Sequence, residues 1–274
     1  MEIAGDGIYD DGVSDRGGLA RLFRYRDCLL LLSSRALKVR YRRSALGFGW
    51  ALMYPLLSMA VLTVVFSRVF PEIAHYEIYV IVGVLAWGFF SLSCVQAMDA
   101  LVGGSAVLRK IYVPSAVFPL AAVGANLVNL VLSVALLPVL MVAVGAVVGL
   151  HPRMLPAILL ALIALAAFTL GLALALSALN LFFSDVRYFF EAILLIWFYA
   201  SPIVYPASVI PDRLRAFLWL NPFYWFLEVL RAPLYGGVAP SAATLAGALT
   251  LGLVTLAAGW TLFGRLERRF YLYL

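Results

Sequence analysis

The sequence predicts an all-α polytopic membrane protein: six transmembrane helices, an N-terminal amphipathic interface helix, and a re-entrant helical pair before the last span. Three observations predict it. Hydrophobic residues make up 65% of the 274-residue chain and charged residues 12%, where ordinary soluble domains hold roughly 45–50% and about 25%. Mean hydropathy is +1.01, and several apolar runs are long enough to cross ~30 Å of hydrocarbon. Lys and Arg collect at the ends of those runs, facing phospholipid headgroups. The net charge of +6 and pI near 9.4 therefore mark membrane topology rather than nucleic-acid binding. Disorder, fibrous repeats and disulfide scaffolds are excluded.

Residues 1–18 carry Glu2, Asp6, Asp10, Asp11 and Asp15 among glycines, a flexible acidic tail that cannot bury a core. It lacks the apolar centre of a cleavable signal, so the first span directs insertion. Asp10 and Asp11 have no further ligands at a useful spacing, and no metal is expected there. Over residues 19–43, Leu22, Tyr25, Leu29, Leu32, Ala36 and Val39 recur at intervals of three and four, one stripe of a helix. Arg24, Arg35, Lys38 and Arg42 fall on the other side. Such a helix lies in the headgroup plane, with arginine stems reaching toward phosphate.

The transmembrane domain occupies 44–274. Its apolar segments are Trp50–Phe70, Ile78–Met98, Ala116–Gly149, Leu155–Phe183, Tyr188–Ile203 and Ala243–Phe263. The fifth is too short to span in its own right, and it leads into a proline-punctuated stretch from Pro202 to Pro240 that is too apolar for a solvated loop. There Pro211 opens one short helix, while Asn221 and Pro222 supply an N-cap and a first-turn proline for a second. Ala116–Gly149, about 51 Å if wholly helical, is long enough to cross twice; the absence of a polar turn between Pro119 and Pro138 favours one helix. Cys28 and Cys94 fall at different depths and serve as packing residues.

Nine basic residues precede the first span. With that end inside and six crossings, Arg109, Lys110, Arg187, Arg265, Arg268 and Arg269 join them, leaving Arg68, Arg153, Arg213, Arg215 and Arg231 outside. Both termini are then cytoplasmic. Seven crossings give the same partition, so charge alone does not decide the count.

The chemistry the chain lacks is as informative as what it holds. The predicted membrane centre contains no carboxylate, lysine or histidine, whereas proton-driven transporters titrate an intramembrane acid or histidine and voltage sensors carry an arginine ladder. His75 and His151 fall in external loops. A phosphate-binding loop needs Gly-Lys before Ser or Thr, and neither of the two lysines, Lys38 and Lys110, follows a glycine. No cofactor is expected on this chain, and active transport needs a separate motor. The best docking point is the cytoplasmic loop 99–115, where Gly103-Gly104 permits a turn before Arg109, Lys110, Ile111 and Tyr112. A merely topogenic basic loop is the alternative.

Val39–Trp50, VRYRRSALGFGW, continuing through Tyr54-Pro55-Leu56, and Leu108–Pro119, LRKIYVPSAVFP, resemble matching segments in the membrane subunits of bacterial polysaccharide ABC exporters. That family includes O-antigen, teichoic-acid and capsule exporters. The resemblance runs from about residue 20 to the C-terminus; the acidic tail lies outside it. It implies a homodimer of six-span subunits in the inner membrane with two copies of a cytoplasmic ATPase, which holds ATP and Mg, moving a lipid-linked glycan outward. On this resemblance the loop around Arg109 is the coupling helix, and Pro211–Tyr235, within the external stretch 204–240, forms gate helices.

The residues allow physical roles beside that resemblance. Arg40, Arg42 and Arg43 cluster at headgroup level, where guanidinium groups grip a lipid diphosphate; positive-inside anchoring explains them equally well. Gly47 and Gly49 let the chain bend into the bilayer, and Trp50 anchors that depth. Tyr205, Phe217, Trp219, Phe223, Tyr224 and Trp225 form either an external gate whose flat faces stack on sugars or a set of interfacial anchors. The leading expectation is thus a channel-forming permease for a lipid-linked polysaccharide. Its rivals are a permease for a small lipid, drug or haem and a membrane enzyme acting on polyprenyl-linked sugars. The enzyme is disfavoured because Asp185, Glu191, Asp212 and Glu228 are scattered.

Overall fold

The computed structural model describes residues 25–41, 49–110, 113–146, 152–270 and 273. The expectations for the tail 1–18, for Arg42, Arg43 and Gly47, and for Ile111 and Tyr112 lie outside the described residues. Among the described residues every regular element is helical: α1 (Arg26–Tyr41), α2 (Gly49–Phe66), α3 (Tyr76–Gly103), α4 (Ser105–Leu108), α5 (Val117–Ala143), α6 (Leu155–Phe182), α7 (Asp185–Ala200), α8 (Asp212–Leu220), α9 (Pro222–Leu234) and α10 (Ala242–Glu267), with single 3₁₀ turns at Pro152–Met154 and Ala207–Val209.

Among the described residues four helices are long and apolar enough to cross a membrane: α3, α5, α6 with its leading turn, and α10. The first and fifth predicted segments are shorter than their apolar runs. The apolar part of α2 covers Leu52–Phe66, after which the chain turns at Ser67–Val69 and reaches Pro71, which has no N–H to continue a helix. The helix of the fifth segment, α7, has 16 residues. The long third run forms one helix of 27 residues, about 40 Å. Its polar side chains do not break it. The Ser133 hydroxyl donates to the Asn129 carbonyl one turn back, and the Asn126 amide donates to Gln96 Oε1 on α3 at 3.0 Å. The run stops where Gly145 takes φ +69°, a left-handed conformation that glycine adopts without a Cβ clash.

α3 is the central strut. Ile78, Phe90, Cys94 and Met98 on it are fully buried, and α2, α5, α6 and α9 pack around it. α1 lies along α5, with Leu29 and Leu32 half-buried while Leu30 and Leu31 stay exposed. α6 and α10 make the closest pairing. A Cβ on Gly252 would sit 2.6 Å from the Ala164 carbonyl oxygen, and Gly259 backs directly onto Gly171. In hydrocarbon no transfer from water drives such an association, so backbone approach through small residues supplies the dispersion contacts that do.

Around the middle of α3 and α6 the core is aromatic. Trp87, Phe90, Phe168, Trp197 and Phe223 interlock with centroids 4.9–6.4 Å apart, mostly edge to face, the arrangement that ring quadrupoles favour. This cluster joins α3, α6, α7 and α9 beneath the broken stretch between α7 and α10.

Candidate functional site

A groove of about 1130 Å³ lies between α2, α3, α5 and α7. Its walls are apolar and aromatic, with Trp50 and Tyr54 from α2, Trp87 from α3 and Phe198 from α7. Asn126, Asn129 and Ser133 from α5 add a polar strip. Asn126 is 3% exposed and donates to Gln96, and Ser133 donates to the Asn129 backbone carbonyl, while among the described residues Asn129 Oδ1 is buried without a hydrogen-bond partner. Of the predicted span-opening residues, Gly49 begins α2 and Trp50 stands half exposed on the groove wall. Arg40 falls within α1.

At one end of the helices lies the loop predicted to receive a motor. α4 is a single turn held close by Gly104, where an added Cβ would meet the Phe118 ring at 2.6 Å. Arg109 and Lys110 follow it and are exposed. Beyond them, the Ser115 backbone N–H and hydroxyl both donate to Glu267 Oε1, at 3.2 and 2.6 Å. The carboxylate at the end of α10 thus satisfies an orphan donor at the start of α5 and ties the loop to the last helix. Nearby, Arg187 at the start of α7 donates to Asp99 on α3 at 2.6 Å and to Glu191 at 3.2 Å. The Glu191 hydrogen bond, then the Asp99 charge, raises the Arg187 guanidinium above its ordinary range.

The opposite end carries the predicted aromatic set, and the fold separates its members. Phe223 is completely buried in the aromatic core, and Tyr224 is nearly so. Trp225 donates from Nε1 to the Trp219 carbonyl at 3.0 Å and fills the space that a Cβ on Gly247 would need. Phe217 and Trp219, on α8, are 64% and 56% exposed. Tyr205 donates to the Tyr199 carbonyl at 2.8 Å, and burial pushes its phenol above the ordinary value, so it remains a donor. Tyr205 and Phe217, with Phe70, Trp197, Ile210 and Asn221, line a second hollow of about 840 Å³.

Asn221 does more than the sequence indicates. Its Oδ1 accepts from the Phe223 backbone N–H at 3.0 Å, capping α9 as expected, and also from Trp197 Nε1 at 2.7 Å. Its Nδ2 donates to Ser201 Oγ at 2.9 Å and to the Ala200 carbonyl at 3.3 Å. One amide therefore ties the end of α7 to the α8–α9 junction.

Sequence reading missed Arg231. The charge count sets it among external loop cations, yet it is 6% exposed. Its Nη1 donates to the Pro202 carbonyl at 2.6 Å and its Nη2 to the Ile203 carbonyl at 2.8 Å. The guanidinium stacks 3.7 Å from the centroid of the Tyr79 ring. A signal was available: Tyr224, Glu228, Arg231 and Tyr235 follow at intervals of four, three and four, a polar stripe along one face of an otherwise apolar helix. Among the described residues no three His, Cys, Asp or Glu side chains converge as a metal would require. Asp185 and Glu191 sit on α7, Asp212 on α8 and Glu228 on α9.

Comparison with known proteins adds an independent finding. The sequence profile of a family described as ABC-2 type transporter matches residues 28–235. A protein of Myxococcus xanthus named O-antigen export system permease protein RfbA is 34% identical over 245 residues, which cover 88% of this chain and 93% of that protein. Two Klebsiella pneumoniae proteins of the same name are each 27% identical over 247 residues, covering 89% of this chain and 93% of theirs.

Proposed function

The chain belongs to the ABC-2 type transporter family, and from that membership we propose that it is the channel-forming permease subunit of an ATP-driven exporter of a lipid-linked polysaccharide of the O-antigen kind. The observation that carries this reading is the match to O-antigen export permeases over nine-tenths of both chains' lengths. The groove supports it. An apolar, aromatic wall beside an amide strip suits a polymer of sugar rings, whose flat faces stack on aromatics while hydroxyls exchange hydrogen bonds with amides.

In this reading two copies of the chain form the passage in the inner membrane, with both termini in the cytoplasm. Two copies of a cytoplasmic ATPase, which hold ATP and Mg, dock at the loop carrying Arg109, Lys110, Ile111 and Tyr112. Arg40, Arg42 and Arg43 receive the lipid diphosphate beside the hinge at Gly47 and Gly49. The outer gate rests on the exposed members of the aromatic set, Phe217 and Trp219, with Tyr205. Phe223, Tyr224 and Trp225 support them from behind.

The test is deletion of the gene in its own host, with surface glycan, intracellular lipid-linked glycan and total lipid measured together. We expect surface glycan to vanish while its lipid-linked precursor accumulates inside, and a plasmid copy to reverse both. Unchanged surface glycan with a small lipid or haem retained inside would replace this reading with a small-molecule permease. The purified chain is also expected to hydrolyse no ATP until the partner ATPase is added.

A further inference from the structure

The segment from Ser201 to Asn221 forms a flap with a narrow neck. At the neck, Ser201 Oγ and Asn221 Nδ2 are 2.9 Å apart. The body holds the Ala207–Val209 turn and α8, and within α8 only Leu218 is buried. Val209, Leu214, Phe217, Trp219 and Leu220 stand 50–76% exposed. The body is therefore weakly packed, whereas its first residues, Ser201 to Val204, are buried.

What buries them is a polar clamp inside an apolar setting. α7 ends at Ala200, and the carbonyls just past a helix end need partners. Those of Pro202 and Ile203 accept from Arg231, that of Val204 accepts from the Tyr76 hydroxyl at 2.6 Å, and that of Tyr205 accepts from the Tyr79 hydroxyl at 3.0 Å. The Tyr79 ring also carries the Arg231 cation on its face, and Tyr235 meets that ring edge-on at 5.4 Å. Gly83 leaves room for the guanidinium: a Cβ there would sit 2.9 Å from Arg231 Nη2. Among the described residues no carboxylate comes within ion-pair distance of Arg231, and its Nε has no hydrogen-bond partner.

A buried cation is costly, and an apolar side chain of similar length fills the same space without that cost. Packing alone does not require arginine here. Its hydrogen-bond and ring partners are all neutral, and the Glu228 carboxylate on the same helix attracts it only beyond ion-pair distance, so the clamp releases without breaking a contact ion pair. We propose that Arg231, seated on Tyr79, is a positioning residue that latches the neck of the 201–221 flap shut, and that releasing this latch lets the flap swing away to open the outer mouth of the passage. This inference rests on the exporter reading above, which supplies the passage that the flap closes.

Three substitutions in the full chain test it. Arg231→Met keeps the bulk and removes the donors; Arg231→Lys keeps the charge but loses the two-pronged grip; Tyr79→Phe keeps the ring and loses the hydroxyl. Each purified chain is reconstituted into liposomes loaded with a small fluorescent dye, and passive dye escape is measured beside the melting temperature. We expect Arg231→Met to stay folded, with a melting temperature lowered only modestly because the lost cost of a buried cation offsets the stranded Pro202 and Ile203 carbonyls. It should nonetheless leak at least about tenfold faster, the factor by which losing charge-assisted hydrogen bonds shifts a closed–open balance. Arg231→Lys should restore part of the seal, and Tyr79→Phe should leak to an intermediate degree. Parental leakage in a folded Arg231→Met chain overturns the latch. If that variant does not fold, parental leakage in Tyr79→Phe overturns it equally. Surface glycan in the host, scored separately, reports on the exporter reading: a leaking variant in a chain that never exported glycan keeps the latch and rejects the polysaccharide.

Discussion

Two phenylalanines six residues apart show how differently one residue type is used. Phe223 is wholly buried against Trp87 and Phe90, whereas Phe217 is 64% exposed on the flap. Truncating a buried ring removes contacts and leaves a cavity, so Phe223→Ala should cost about 3–5 kcal/mol of stability. Phe217→Ala should cost about 0.5 kcal/mol and reveal itself in export or leakage instead. Thermal unfolding beside surface glycan separates the two, and a large melting loss for Phe217→Ala with normal export per folded molecule would return it to an anchoring role. Asn221 offers a second test at this scale. Asn221→Ala removes a cap, worth about 1 kcal/mol, and strands Trp197 Nε1 and Ser201 Oγ, adding about 1–3 kcal/mol for buried unpaired groups. Asn221→Asp keeps both acceptor contacts and should recover part of that loss on the same melting curve. None of this tertiary use was legible in the sequence. The capping role of Asn221 follows from its place before Pro222, but its other partners lie on α7, and backbone carbonyls such as those that hold Arg231 leave no mark in a side-chain pattern.

Among the elements, apolar runs and their punctuation carried the information. Pro211, Asn221 and Pro222 gave the short helices before the last span, because cap and proline preferences act within a few residues. The single helix of the third run was readable from its missing turn. The lengths of α2 and α7 were not, since apolarity continues past the last helical residue in both. The loop between α3 and α5 is the element where a motor's work would be felt, and Glu267 is placed to carry it to α10. Glu267→Gln keeps the shape but weakens the hydrogen bonds to Ser115. We expect the partner ATPase to co-purify normally with this variant while glycan exported per ATP hydrolysed falls severalfold. Arg109→Ala combined with Tyr112→Ala should do the reverse, reducing co-purification while leaving membrane insertion intact. If the doubly substituted chain binds its partner and exports as before, the loop is only a topogenic turn.

At the scale of the molecule, the length of α7 is the unusual quantity. Its 16 residues give about 24 Å, short of the ~30 Å hydrocarbon layer. A helix that ends at membrane depth cannot present its last carbonyls to lipid, so it must be surrounded by protein or by a water-filled space. Asn221 satisfies the carbonyl of the last residue of α7, Ala200, and Arg231 those of Pro202 and Ile203 just beyond it. The exposed face of α7, with Tyr188, Phe189, Ile196 and Tyr199 each 67–70% exposed, has no cover among the described residues. α5 also exposes apolar residues, Val139 and Val142 at 66% and 82%, but α5 is long enough to cross, and lipid can meet it directly. The two exposed faces should therefore differ in water access. Ile196→Cys and Tyr199→Cys should react with a membrane-impermeant maleimide in whole cells and form cross-links between copies of the chain. Leu132→Cys and Leu136→Cys, exposed on the same face of α5 but nearer its middle, should do neither. A Cys28→Ser background suffices, because Cys94 is fully buried. Equal labelling at all four positions would place α7 against lipid and remove it from the passage wall, whereas selective labelling with cross-linking would set two copies face to face along α7.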